Sequence, residues 1–159
     1  MAPGINSKMN EMQAALGLVQ LKHYHENIEK RKIIADTYRK NLSGIKGISF
    51  LPIPENTESN HAYFPIFVNE KEYGMSRDQL YEKLKHNNIF GRRYFYPLIS
   101  EFSMYKGLDS AKPENLPVAE KIAAKVICLP IYPDLDSTHV TKIIKQIRKW
   151  LLIHIYPKK

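Results

Sequence analysis

Residues 4–21 read Gly4-Ile5-Asn6-Ser7-Lys8-Met9-Asn10-Glu11-Met12-Gln13-Ala14-Ala15-Leu16-Gly17-Leu18-Val19-Gln20-Leu21. A turn-forming Gly-Ile pair runs into apolar residues at three- and four-residue steps, which is the period of a helix buried on one side. The pattern continues through Tyr24, Ile28, Ala35, Tyr38 and Leu42, so a helix is expected from Asn6 to about Leu42. That is long for one globular helix, and a kink or two consecutive helices near His23 is expected. Asn6 or Ser7 can cap the start. The capping end carries unpaired amides and the positive end of the helix dipole, where phosphate is well served; an ordinary N-cap is the plainer reading. Gly17 in mid-helix costs about 1 kcal/mol relative to alanine and suggests close approach of another backbone.

Outward from this helix the chain alternates short strands and helices. Ser43-Gly44 ends the helix, and Ile48 to Leu51 reads as a strand. Residues His61 to Val68 form a second strand by their aromatic and β-branched content, with Pro65 arguing for an edge or a bulge. Ser76 and Gln79 frame a capping box for a helix ending at Asn87-Asn88. Phe90 to Tyr96 resumes an extended pattern, with Arg93, Phe95 and Pro97 on one face and Arg92, Tyr94 and Tyr96 on the other. Pro117 opens a helix to about Val126 with Val118, Ile122 and Ala123 inward. Ile127 to Leu129 is a brief strand. Asp136 or Ser137 caps a last helix with Val140, Ile143, Ile144, Ile147 and Leu151 on one stripe. The expected product is α+β: a long N-terminal helix or helix pair and a small, mainly antiparallel sheet backed by helices.

The 159 residues amount to one domain, and 43% apolar content excludes a disordered tail. The single cysteine, Cys128, excludes an internal disulfide and fits a reducing, cytoplasmic setting. No apolar run approaches the roughly 20 residues of a membrane span, so no membrane partner is expected. The net charge of +8 is spread along the chain without a nucleic-acid-binding motif, and no nucleic-acid partner is expected. Six scattered histidines lack ligand spacing, so no metal is expected. No Gly-rich phosphate loop and no nucleophile elbow occurs. What remains unusual is Phe90-Gly91-Arg92-Arg93-Tyr94-Phe95-Tyr96-Pro97: two arginines among aromatics beside a flexible glycine, suited to a phosphorylated or aromatic-base ligand. The plainer alternative is a sheet edge whose alternate aromatics are core.

Residues 4–21 closely resemble a signature of the DegT/DnrJ/EryC1/StrS family. Arg92 to Leu98, Met104-Tyr105, Leu116 to Glu120 and Cys128 to Pro133 resemble the same family in the same order. The resemblance implies fold type I, dependence on pyridoxal phosphate (PLP), and transfer of an amino group from glutamate to a nucleotide-linked keto-sugar, in making deoxysugars or polysaccharides. The Arg-Arg-Tyr-Phe-Tyr-Pro run looks most like members acting on dTDP-4-keto-6-deoxyhexoses.

By this resemblance residues 1–159 are a single C-terminal small domain with its linking helix at about 5–42. The large domain, with its Schiff-base lysine, is expected to be absent, so the chain alone is expected to hold no catalytic residue, to bind PLP weakly or not at all, and to be inactive. In the family's homodimer Asn6 resembles the residue that binds the PLP phosphate of the partner subunit, with Lys8 near the same shared site. Arg93, Tyr94 and Tyr96 resemble the segment beside the substrate sugar and nucleotide. A non-catalytic interaction or dimerisation module, using the Met9, Met12, Leu16 and Val19 stripe, is the alternative.

Overall fold

The computed structural model describes the backbone of residues 7–155 and the side chains of residues 7–148. Asn6 and the side chain of Leu151 lie outside these. The helical stretch is two helices, α1 (Glu11–Lys22) and α2 (Tyr24–Leu42), meeting at His23. The start differs from expectation. Ser7 to Asn10 precede the helix, and the cap is Asn10 rather than Asn6 or Ser7. Asn10 Oδ1 accepts from the Gln13 amide at 2.9 Å, while Gln13 Oε1 accepts from the Asn10 amide at 3.0 Å. This reciprocal box satisfies two end amides three or four residues further along than the pattern suggested.

Three strands follow the helix pair: β1 (Ile48–Ser49), β2 (Phe64–Val68) and β3 (Val126–Leu129), in the order β1-β2-β3, all antiparallel. Between β2 and β3 lie α3 (Glu70–Tyr73), α4 (Arg77–His86), several short 3-10 turns and α5 (Pro117–Ala123); α6 (Ser137–Ile155) closes the chain. The expected α+β class, with a small antiparallel sheet backed by helices, is what the structure shows.

Pro65 does not sit on an edge strand, because β2 is central. Its tolerance has a local cause. Val68 N–H donates to Lys125 on the β3 side, so by alternation the nitrogen of Pro65 faces the β1 side, where β1 pairs only with Phe67 and Val68. Its partner across the sheet, Cys128, turns its own amide and carbonyl away, to Arg92. No ladder bond is lost.

The core lies on one face of the sheet. Phe64, Ile66 and Val68 of β2 meet Tyr38 and Leu42 of α2, Leu80 and Leu84 of α4, and Val140, Ile143, Ile144 and Ile147 of α6. Two buried phenols reach across it: Tyr38 donates to the Pro130 carbonyl at 2.9 Å and Tyr73 to the Ile147 carbonyl at 2.8 Å. Gly47, at φ 79°, abuts Tyr73 so closely that an added Cβ would come within 2.7 Å of the tyrosine Cβ. Asp136 caps α6, accepting from the amides of Thr138 and His139; the Thr138 hydroxyl and then the His139 amide hold its carboxyl below the usual carboxylate range.

Two further expectations fail. α5 is only seven residues long and buries Ala123 alone, leaving Val118 and Ile122 exposed. α1 buries none of its residues: Met12, Leu16 and Val19 are exposed, as is Met9 before it, and nothing approaches Gly17. Among the described residues no helix is long and apolar enough to cross a membrane, and no group of three or more His, Cys, Asp or Glu could hold a metal ion.

Candidate functional site around residues 92–97

The Phe90–Tyr96 segment joins the sheet through one residue instead of forming a strand. Arg92 donates to the Cys128 carbonyl at 3.0 Å and accepts from the Cys128 amide at 2.8 Å, adding a single bridge outside β3. Gly91 allows this approach, since a Cβ there would stand 3.1 Å from the Cys128 carbonyl oxygen and from Ile127 Cδ1. After Arg92 the chain turns. The two-face alternation expected of a strand is lost, and the residues regroup into two clusters.

The first cluster is built on the N-terminal turn of α4. Arg93 Nη1 pairs with Asp78 Oδ1 at 3.0 Å, and its guanidinium lies 4.5 Å from the ring centres of both Tyr81 and Tyr96. Asp78 and Tyr81 face it together because they are three residues apart on a helix. Arg77, only 3% exposed, contacts the same Asp78 oxygen through Nε at 2.9 Å and donates from Nη1 to the Val126 carbonyl at 3.0 Å. Its guanidinium also sits 5.2 Å from the Tyr96 ring. Strand β3, helix α4 and the 93–96 turn are thereby joined through two arginines and one carboxylate.

The second cluster is aromatic. Tyr94 stacks on Tyr63 of the segment before β2 at 4.5 Å and on Phe95 at 3.9 Å, with interplanar angles of 30° and 29°. A hydrogen bond with Tyr63, and secondarily burial, push the Tyr94 phenol above its ordinary range, while the nearby positive charge of Arg92 opposes this. Burial pushes the Cys128 thiol up to about 11, again with Arg92 opposing. A buried, protonated thiol is a packing group, not a nucleophile.

The structure thus brings Arg93 and Tyr96 together and sets Tyr94 in a separate stack. Lys8 is exposed, with no hydrogen bond, ion pair or ring contact to either cluster. Asn6 lies outside the described residues. Sequence reasoning missed Asp78, Tyr81 and Tyr63. Asp78 and Tyr81 carried only the signal of a helix start, and Tyr63 only that of a strand.

A PLP site needs a lysine amine sheltered in a pocket and several donors for the phosphate. No described lysine is buried, and the Gln13 amide in the first turn of α1 is already held by Asn10. The described residues do not fit the whole cofactor.

Comparison with known proteins defines the family. The model described as the DegT/DnrJ/EryC1/StrS aminotransferase family matches residues 1–148. The chain is similar to the dTDP-4-amino-4,6-dideoxy-D-glucose transaminase of Escherichia coli, with 57% identity over 91% of this chain and 38% of that protein. It is also similar to the Shigella dysenteriae protein of the same name, with 42% identity over 92% of this chain and 39% of that protein. The crystal structure of S. venezuelae DesV in complex with a ketimine intermediate has the same fold, with a TM-score of 0.83 and 27% identity over 94% of this chain and 38% of that one. The chain therefore spans about two fifths of the length of the relatives it matches. From Met1 to Arg148, through both helices and the sheet, this chain belongs to the DegT/DnrJ/EryC1/StrS aminotransferase family.

Proposed function

We propose that this chain is the C-terminal small domain of a PLP-dependent aminotransferase that moves an amino group from glutamate to a dTDP-linked 4-keto-6-deoxyhexose. The observation that carries the reading is the 57% identity to the E. coli transaminase along nearly the whole chain. The basic, aromatic 92–97 segment supports it, because a nucleotide diphosphate needs both charge and ring faces. In this reading the Schiff-base lysine belongs to a large domain outside these 159 residues. Asn6 reaches the PLP phosphate of the partner subunit, Lys8 stands near the same shared site, and Tyr94 and Tyr96 lie beside the sugar nucleotide. Arg93 acts there through its hold on Tyr96.

The test is a chimera in which this chain replaces the matching two fifths of the E. coli relative. The folded chimera is expected to aminate a dTDP-4-keto-6-deoxyhexose with glutamate, whereas the 159-residue chain alone is expected to show no turnover. An inactive but folded chimera, or turnover by the chain alone, refutes the reading.

The open face of α1 favours a second reading, a non-catalytic dimerisation module. A chain that forms a stable dimer while its chimera stays inactive would favour that one instead.

A further inference from the structure

Helix α4 is the fixed frame against which the 93–96 turn is held. Its first turn is closed by a capping box, in which Ser76 Oγ accepts from the Gln79 amide at 3.2 Å and Gln79 Oε1 accepts from the Ser76 amide at 2.8 Å. Leu80 and Leu84 seat the helix in the core. From this anchored element Asp78 meets Arg93 Nη1 at 3.0 Å, and the Tyr81 ring centre lies 4.5 Å from the Arg93 guanidinium. The same guanidinium lies 4.5 Å from the Tyr96 ring, which is itself half exposed. Asp78 Oδ1 is also 2.9 Å from Nε of the buried Arg77, so the carboxylate that holds Arg93 is held in turn.

A guanidinium close to two rings and pinned by a carboxylate has lost the freedom of its flexible stem, and it fixes whichever ring leans on it. Of the two rings, Tyr81 belongs to the anchored helix and Tyr96 to the turn, so the restraint runs from α4 to Tyr96. We infer that Asp78 is a positioning residue for the reaction proposed above: it sets Arg93, and through Arg93 the ring of Tyr96, in the orientation that the substrate meets. Tyr81 is the second support of the same mount. This role rests on the proposed function for its substrate and on the geometry alone for the mount. It carries a sign. Were Arg93 itself an anion ligand, removing the Asp78 charge would free a cation and tighten the binding of an anionic substrate. As a mount, its loss lets Tyr96 wander and weakens that binding.

The test has two arms. In the purified chain, the Arg93 side-chain protons should resonate upfield in the NMR spectrum because of the two rings beside them, and Asp78→Asn should remove at least half of that displacement. In the chimera described above, Asp78→Asn should raise KM for the dTDP-4-keto-6-deoxyhexose about tenfold and leave KM for glutamate unchanged. Asp78→Glu, which keeps the charge, should recover part of the loss. Tyr81→Leu leaves the Arg77–Asp78 contact in place and should raise the same KM by a smaller factor, so the mount remains testable should Asp78→Asn fold poorly. Unmoved Arg93 resonances overturn the inference. So does a lowered KM for the sugar nucleotide, which would make Arg93 an anion ligand that Asp78 restrains. Equal losses for glutamate and the sugar nucleotide overturn it too, since a structural role alone would weaken both. An active chimera indifferent to Asp78→Asn and Tyr81→Leu refutes this inference alone; an inactive chimera beside a chain whose Arg93 resonances respond to Asp78→Asn refutes the proposed function and leaves the mount standing.

Discussion

Arg77 carries more of the site's architecture than any residue singled out by its sequence context. It is a buried cation whose charge is met by Asp78 and whose Nη1 satisfies the Val126 carbonyl of β3. Removing it strands a buried carbonyl and frees Asp78 from one of its two arginines. Leaving a buried acceptor unpaired costs about 1–3 kcal/mol. Arg77→Ala is therefore expected to destabilise the chain by about 2–3 kcal/mol, read as a lowered urea midpoint with unchanged slope. Arg77→Lys should recover only part of this, since a compact ammonium cannot both reach the Val126 carbonyl and lie beside Asp78 and the Tyr96 ring as the broad guanidinium does. A wild-type midpoint for Arg77→Ala would show that the bridge between β3 and α4 is not stabilising.

At the scale of elements, the contrast between α1 and α2 is the informative one. Both are well-formed helices, yet α2 buries Ile34, Ala35, Tyr38 and Leu42 and α1 buries nothing. Met12, Leu16 and Val19 are spaced to share a face, and fully burying such a side chain is worth about 1.5–3 kcal/mol. A helix with that much exposed apolar surface associates with whatever covers it. The chain alone is expected to self-associate, and Leu16→Glu combined with Val19→Glu should cut the association constant at least tenfold while circular dichroism stays unchanged. Light scattering reads both states. A wild-type monomer, or a charged variant that still associates equally, would remove α1 as the contact surface.

For the molecule as a whole, the buried acids set an alkaline limit. Burial raises the phenols of Tyr38 and Tyr73 above their ordinary value and raises Cys128 to about 11. In the unfolded chain these groups lose protons at about 8.5 for the thiol and about 10 for the phenols. Above those values the unfolded state sheds protons that the folded state keeps, so their stabilising contribution is complete below about pH 8.5 and falls as pH rises. Urea midpoints measured from pH 8 to about pH 11 should decline, and Tyr73→Phe with Tyr38→Phe should flatten the decline above pH 10 while lowering the midpoint at pH 8. A flat wild-type profile would contradict the burial of these groups.

The same division by distance explains what the sequence by itself determined. It determined the helix pair with its break at His23, the Ser76–Gln79 capping box, the Asp136 cap and the apolar stripe of α6, because each depends on residues three or four positions apart whose chemistry is local. The order of motifs along the chain also carried the family. Only the tertiary structure decided that Pro65 could lie in a central strand, since that depends on β1 stopping short of it. Only the tertiary structure split Arg92 from Arg93. Arg93 is claimed by Asp78 and Tyr81 and Tyr94 by Tyr63, over separations of 12 to 31 residues. A guanidinium or ring is committed by whichever partners the fold delivers within about 5 Å, and no local pattern of spacing encodes that delivery.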